Sequence, residues 1–152
     1  WQPIHMSPER KTDFEEHLML VFTGLSRTAS EVAATYQFPV ELSEMVNLVN
    51  EGVATLQSDA DLQEFGKLLD VGWKLKCSLS PEICTPYISY LYERALAAGA
   101  IGGKLLGAGS GGFMLLFCEP ERQEQVREAL KGLLFVPFHF EPKGTRIIGN
   151  GT

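Results

Sequence analysis

The stretch from 102 to 118, GGKLLGAGSGGFMLLFC, limits what this chain can fold into more than any other segment. Two short apolar runs flank a bend in which four of the six residues from Gly107 to Gly112 are glycine. Runs this short read as strands, and with so few residues between them they pair as an antiparallel hairpin. A hairpin bend needs one or two glycines to accept positive φ. Each further glycine costs about 0.5–1 kcal/mol of ordering relative to alanine, so something requires bare backbone there. Two physical candidates stand open: close approach of another backbone, and an anionic ligand held by a concave nest of successive N–H groups.

Two better-known glycine loops are excluded by context. Gly107, Gly109 and Gly112 satisfy the spacing GxGxxG. A dinucleotide fingerprint, however, must open a helix whose N-terminus faces the pyrophosphate. Here FMLLF follows and is broken at once by Cys118, Glu119 and Pro120, which is too short for a helix. A nucleotide P-loop requires Gly-Lys-Ser/Thr after its last glycine, and Phe113 occupies the lysine position.

The rest of the chain supplies partners for the hairpin. HLMLVFTG (17–24) is a short apolar run ended by glycine and reads as a strand. SRTASEVAATYQF follows directly, with Ser26 placed to cap a helix. In 41–57, Leu42, Met45, Val46, Val49, Val53 and Leu56 form one stripe of a 3.6-residue period, a helix. A second helix runs over 58–76, with Asp61 and Glu64 in capping-box spacing and Leu62, Phe65 and Leu69 on one face. Gly66 and Gly72 weaken it slightly. A third places Ile88, Leu91, Tyr92, Ala95 and Leu96 on one face before Gly99 stops it. After Pro120, Val126, Ala129, Leu130 and Leu133 make another helical face, and Val136, Phe138 and Phe140 alternate as in a half-buried strand. The order strand, helices, strand, strand, helix, strand predicts an α+β two-layer sandwich, with helices on one face of a mainly antiparallel sheet.

A length of 152 residues suits one domain, and no internal linker divides it. With 45% hydrophobic residues the chain can bury a core, and a net charge of −6 argues against nucleic-acid and membrane-surface partners. No apolar run reaches membrane-spanning length and no signal peptide is visible, so a cytoplasmic location is expected. Cys77, Cys84 and Cys118 lack CxxC spacing and are expected as free thiols. His5, His17 and His139 are scattered without ligand spacing, so no metal site is expected. The opening WQPIHM, without an initiator Met, reads as though cut from something longer.

With these residues in view, GGKLLGAGSGGFMLLF resembles the third motif of the GHMP small-molecule kinases, the superfamily of galactokinase, homoserine kinase, mevalonate kinase and phosphomevalonate kinase. LVFTGLSRTASEVAATYQ, LLDVGWKLKCSLS and VPFHFEPKGTRII are similar to the heptose 7-phosphate kinase branch, so the resemblance runs from about Pro3 to Ile148. It implies that residues 1–152 are the ferredoxin-like C-terminal domain of such a kinase. That domain closes one side of a cleft shared with an N-terminal nucleotide-binding domain. The Pro-x-Gly-Leu-x-Ser-Ser nucleotide loop of that other half does not occur here, and the acidic and lysine catalytic residues also belong to it. The resemblance therefore implies no catalytic residue in this chain, ATP and Mg in the complete enzyme with none held by this domain alone, and no turnover by the isolated chain. The implied partners are the chain's own N-terminal domain and a small-molecule sugar phosphate. The implied reaction is phosphorylation of the anomeric hydroxyl of a heptose 7-phosphate.

Carried onto this sequence, the phosphate and substrate cleft comprises Gly107, Ala108, Gly109, Ser110, Gly111 and Gly112. Ser110 stands where the branch usually has glycine, and Ser89 where it usually has aspartate. Lys104 can reach a substrate phosphate as a point charge or can be a solvated strand lysine. Thr23, Gly24, Ser26 and Arg27 lie where a strand passes into a helix, either an anion site or a helix cap beside a surface arginine. The alternatives to the heptose reading are a GHMP kinase of different sugar specificity and a free-standing ferredoxin-like module that binds a small anionic metabolite.

Overall fold

The computed structural model describes residues 3–25, 41–107 and 110–141. In chain order its elements are α1 (Pro8–Glu16), β1 (Leu18–Phe22), α2 (Glu41–Gln57), α3 (Leu62–Ser78), α4 (Pro86–Ala97), β2 (Ala100–Leu105), β3 (Phe113–Cys118), a 3₁₀ turn at Pro120–Arg122, α5 (Gln123–Ala129) and β4 (Leu134–Phe135). The helix expected to start at Ser26 lies outside the described residues.

The hairpin forms as its glycine bend dictates, with Gly103 opposite Leu116 and Leu105 opposite Met114. The strand read at 17–24 pairs antiparallel with β3, from Leu18 opposite Phe117 to Phe22 opposite Phe113, and with the short β4 on its other side. The sheet order is β2-β3-β1-β4, antiparallel at every junction, which is the split β-α-β arrangement of ferredoxin-like α+β domains.

Successive strand residues face opposite sides. Met114, Leu116 and Cys118 join Met19 and Val21 against Ile88, Leu91 and Ala95 of α4 and Val126 of α5, all in one apolar cluster. The alternate residues Leu18 and Phe117 enter a smaller cluster with Phe14, Leu56 and Leu62. Each such side chain, when fully enclosed, contributes about 1.5–3 kcal/mol relative to exposure. Packing on β3 from both sides therefore outweighs the propensity of any one helix.

The helix ends follow their local chemistry. Asp61 accepts from Gln63 N at 2.9 Å, and Thr85 from Ile88 N with Pro86 in the first turn. α4 stops at Gly99, whose φ is +116°. The first helix, α1, carries no stripe and was not legible in the sequence, since Phe14 is its one buried residue. It is held by Ser7, which accepts from Arg10 N, and by Arg10 itself. The Arg10 guanidinium donates to the carbonyls of Leu56, Thr55 and Ala60, where α2 ends and its last carbonyls need partners.

α3 lies against β2 at a contact made of backbone. A Cβ added at Gly102 would fall 2.0 Å from the Gly66 carbonyl oxygen and 2.9 Å from Asp70 N. A Cβ at Gly66 would meet the Phe117 ring at 2.7 Å. Gly66, which the sequence presents as a mere weakness in the helix, is what lets α3 sit this close.

Two expectations are corrected. The strand expected over Val136, Phe138 and Phe140 is confined to Leu134–Phe135, and beyond it only Val136 N continues the pairing, to Leu20 O at 2.8 Å. The alternation survives as packing, because Phe138 and Phe140 both join the smaller cluster. The second correction concerns the cysteines: Cys77 and Cys84 form a disulfide, with Cα atoms 5.3 Å apart, and Cys118 is the free thiol. The chain turns back on itself after α3, so a spacing without a CxxC pattern still brings the two sulfurs together.

Replacing Gly102 by alanine is expected to destabilise the fold by about 2–4 kcal/mol, because backbone and not a flexible side chain occupies the space. Gly72→Ala, whose Cβ would meet only Leu48 at 3.7 Å, is expected to be neutral or to stabilise by about 0.5–1 kcal/mol. Urea unfolding midpoints of the two variants measure the contrast.

Candidate functional site

Three chain segments meet at the end of the sheet where β1 and β2 finish and β3 begins. The first is the exit of β1. Thr23 is buried, and its hydroxyl and its amide both donate to Gly112 O at 2.9 Å. Tyr87 of α4 donates its hydroxyl to Thr23 O at 3.1 Å. The polar groups of Thr23 thus fix the loop instead of facing a ligand. Gly24 has φ +80° and open space where a Cβ would sit. Ser26 and Arg27 lie outside the described residues.

The second segment is the hairpin bend, of which Ala108 and Gly109 lie outside the described residues. Gly107 and Gly112 take φ +73° and +94°, the left-handed region that favours glycine. Gly111 has a different reason to lack a side chain: an added Cβ would stand 2.9 Å from both the Leu25 Cβ and the Leu25 carbonyl oxygen. Gly112 N donates to that same carbonyl at 2.8 Å. Close approach of another backbone therefore accounts for Gly111. It also ties the bend to the exit of β1.

Ser110 is enclosed, with φ 62°. The residue that departs from glycine thus keeps a glycine-like conformation, at a cost of about 1–2 kcal/mol for an L side chain. Its neighbours offset that cost: Ser110 N donates to Ile83 O at 3.2 Å, and the Ser110 hydroxyl donates to Glu82 O.

The third segment is the end of α3. Lys76 Nζ donates to Leu105 O at 3.3 Å and to Gly107 O, bracing the bend where it leaves β2. Burial, with the Lys104 charge close by, pushes the Lys76 ammonium down to about 8. Among the described residues neither lysine forms an ion pair with a carboxylate, whereas Lys67, Lys74 and Lys131 each do. Lys76 and Lys104 stand together on the wall of a slot of about 340 Å³ between α2 and α3, otherwise walled by apolar residues such as Met45, Val49, Val53 and Leu69. That apolar wall leaves the two ammonium groups as the charged features of the slot.

Of the residues expected from sequence, the structure unites Thr23, Gly111 and Gly112 around Leu25, sets Ser110 against the 79–85 segment, and places Lys104 with Lys76. Sequence reasoning missed Lys76, Tyr87 and the carbonyls of Glu82 and Ile83. The one available signal for Lys76 was its place in the last turn of a helix, where cations are favoured by the helix dipole. Among the described residues no group of three or more His, Cys, Asp or Glu is arranged to hold a metal ion, and no helix is long and apolar enough to cross a membrane.

A family model described as GHMP kinases C terminal matches residues 53–134. The chain is 26% identical to the bifunctional fucokinase/GDP-fucose pyrophosphorylase of Arabidopsis thaliana, over 85% of this chain and 13% of that protein. It is 23% identical to the D-glycero-alpha-D-manno-heptose 7-phosphate kinase of Campylobacter jejuni, over 85% of this chain and 40% of that one. It is 33% identical to the mevalonate kinase of Pyrococcus abyssi, over 76% and 40% respectively. In three dimensions the L. major mevalonate kinase solved with R-mevalonate superposes with a TM-score of 0.66 at 21% identity, covering 78% of this chain and 40% of that one. The chain thus spans at most 40% of the length of these relatives.

Ser110→Ala is expected to cost about 1–2 kcal/mol by losing the buried hydroxyl bond while keeping the left-handed backbone. Ser110→Gly is expected to be the more stable of the two by about 1 kcal/mol, since it also relieves the strain; chemical denaturation ranks them. For Lys76, the folded state binds its proton less tightly than the unfolded chain does. Its contribution to stability therefore rises as pH climbs from about 8 towards 10.5, and the penalty is fully present below about 8. The stability difference between wild type and Lys76→Met, measured across that range, is expected to shift in favour of wild type as pH increases.

Proposed function

Since the chain belongs to the GHMP kinase C-terminal family, we propose that it is the C-terminal half of an ATP-dependent small-molecule kinase whose acceptor is a sugar phosphate, a heptose 7-phosphate first among candidates. The observation that carries the anionic acceptor is the pair Lys76 and Lys104. Two ammonium groups lie close enough for one to depress the other, beside Gly107, with no carboxylate ion pair among the described residues. A negatively charged group placed there relieves their repulsion. The heptose branch is supported by the similarity quoted above, which covers 85% of this chain for the heptose and fucose enzymes against 76% for the mevalonate kinase.

In this reading the segment from Gly107 to Gly112, Ala108 and Gly109 included, forms one wall of the phosphate cleft, together with Gly24, Ser26 and Arg27. Thr23 and Ser110 act as positioning residues: they hold the bend to β1 and to the 79–85 segment. Lys104 meets the acceptor's own phosphate. ATP and Mg are assigned to the N-terminal domain that completes the protein, where magnesium supplies charge neutralisation on the transferring phosphoryl group. The new bond joins the anomeric oxygen to the γ-phosphorus, the bond from that phosphorus to the ADP oxygen breaks, and the hydroxyl's proton passes to a base of the N-terminal domain. This chain's share is to orient the acceptor and exclude water behind it. The proposed partners are accordingly the N-terminal domain and the sugar phosphate, and the proposed location is the cytoplasm, where ATP is abundant.

One further reading has a specific observation behind it. The 33% identity to an archaeal mevalonate kinase favours a carboxylate acceptor on the same lysines.

The protein at its natural length is expected to phosphorylate heptose 7-phosphate with ATP, while residues 1–152 alone turn nothing over. Lys104→Gln is expected to raise KM for the phosphorylated sugar about tenfold with little change in kcat, the signature of lost binding to a charged group. A panel of heptose 7-phosphate, fucose and mevalonate in a coupled ADP assay decides the matter. Phosphorylation of mevalonate but not of the heptose would replace the sugar reading.

A further inference from the structure

The disulfide between Cys77 and Cys84 closes a small ring whose two ends both grip the glycine-rich bend. On one side Lys76, the residue before Cys77, donates to Leu105 O and Gly107 O. On the other, Glu82 and Ile83, the residues just before Cys84, accept from the hydroxyl and the amide of Ser110. Between them the chain is tightly held: Leu79 N bonds Lys76 O, Ile83 N bonds Ser80 O, and Leu79, Ser80 and Ile83 are buried. The bridge therefore spans two anchors of the bend, with Gly107 and Ser110 as the points held.

We propose that Cys77 and Cys84 form a redox modification site, acted on by dithiol reductants and by glutathione disulfide, whose state sets how firmly the glycine-rich bend is held. Both cysteines are half-buried at the edge of the main cluster, within reach of a small thiol, while Cys118 is enclosed and its thiol is pushed up to about 11 by burial. The exchange is thus confined to one pair. In reduction, a thiolate of the dithiol attacks one bridge sulfur, forms a mixed disulfide and releases the other cysteine as a thiolate, which takes up a proton. The second thiol of the reagent then displaces the remaining cysteine, leaving a cyclic disulfide on the reagent and two electrons on the protein. Oxidation by glutathione disulfide runs the other way and releases two glutathione thiols.

Opening the ring removes the cross-link between the end of α3 and the 82–84 turn. Ser110 in its left-handed conformation depends on that turn, because the Glu82 and Ile83 carbonyls are what hold it there. Its amide then opens more often, whereas that of Gly112, bonded to Leu25 O, and those in the centre of β3 keep their partners.

Hydrogen exchange followed by mass spectrometry on the natural-length protein tests this without reference to any reaction it catalyses. Under glutathione disulfide, alkylation after unfolding is expected to leave Cys77 and Cys84 unmodified, with their shared peptide two hydrogens lighter until it is reduced. Under dithiothreitol, exchange at Ser110 is expected to speed up about tenfold, with Gly112 and β3 from Met114 to Phe117 unchanged. The double variant Cys77→Ser with Cys84→Ser is expected to match the reduced protein and to ignore both reagents, and Cys118→Ser to respond as wild type does. The proposal is overturned if the pair never joins under oxidation, if exchange at Ser110 is the same in both states, or if Cys118→Ser abolishes the response. Should the serine variants fail to fold, the reduced and oxidised wild-type arms decide alone.

Discussion

The placement of α3 against β2 without intervening side chains is the constraint on which the rest of the molecule depends. Gly102 and Gly66 bring helix and strand to backbone contact. That spacing determines where the helix ends, and with it where Lys76 and Cys77 lie relative to the hairpin. Had either glycine carried a side chain, the helix would stand off by roughly the width of a methyl group. Lys76 would then lose its reach to the carbonyls of Leu105 and Gly107.

From that contact the site end of the sheet is built as a set of backbone attachments. Thr23 and Leu25 take hold of Gly112, Ile83 and Glu82 take hold of Ser110, and Lys76 takes hold of Gly107. The described part of the glycine-rich bend is therefore held from three sides by these attachments. This resolves the question raised by its composition in two parts. Gly111 is small because Leu25 presses on it, and Gly107 and Gly112 are glycine because of their positive φ with nothing packed against them.

Much of the fold was legible because its signals are periodic. The stripe in α2 gave its bounds of Glu41 to Gln57, and alternation with a glycine stop marked β1 and the β2–β3 pair. What escaped is what periodicity does not encode. α1 is polar on almost every side and is held by Arg10 reaching three carbonyls far along the chain. Phe138 and Phe140 alternate as a strand would, yet they pack without pairing, because β4 has already left the edge of β1. The disulfide was missed because it closes across a turn, and Lys76 because a lysine in a last helical turn looks like any other. At this end of the sheet the sequence singles out Gly107, Ser110, Gly111 and Gly112, but several of the groups that hold them are the carbonyls of Leu25, Glu82 and Ile83, which carry no residue signature.

Cys118 is a reporter built into the sheet. It ends β3 wholly enclosed, its sulfur directed at the carbonyls of Gly99 and Glu119. A thiol in that position reacts with an alkylating reagent only while the strand around it is parted. The rate of its trapping therefore reads out how often the sheet itself comes undone, an intrinsic clock for breathing motions that no added label is needed to start.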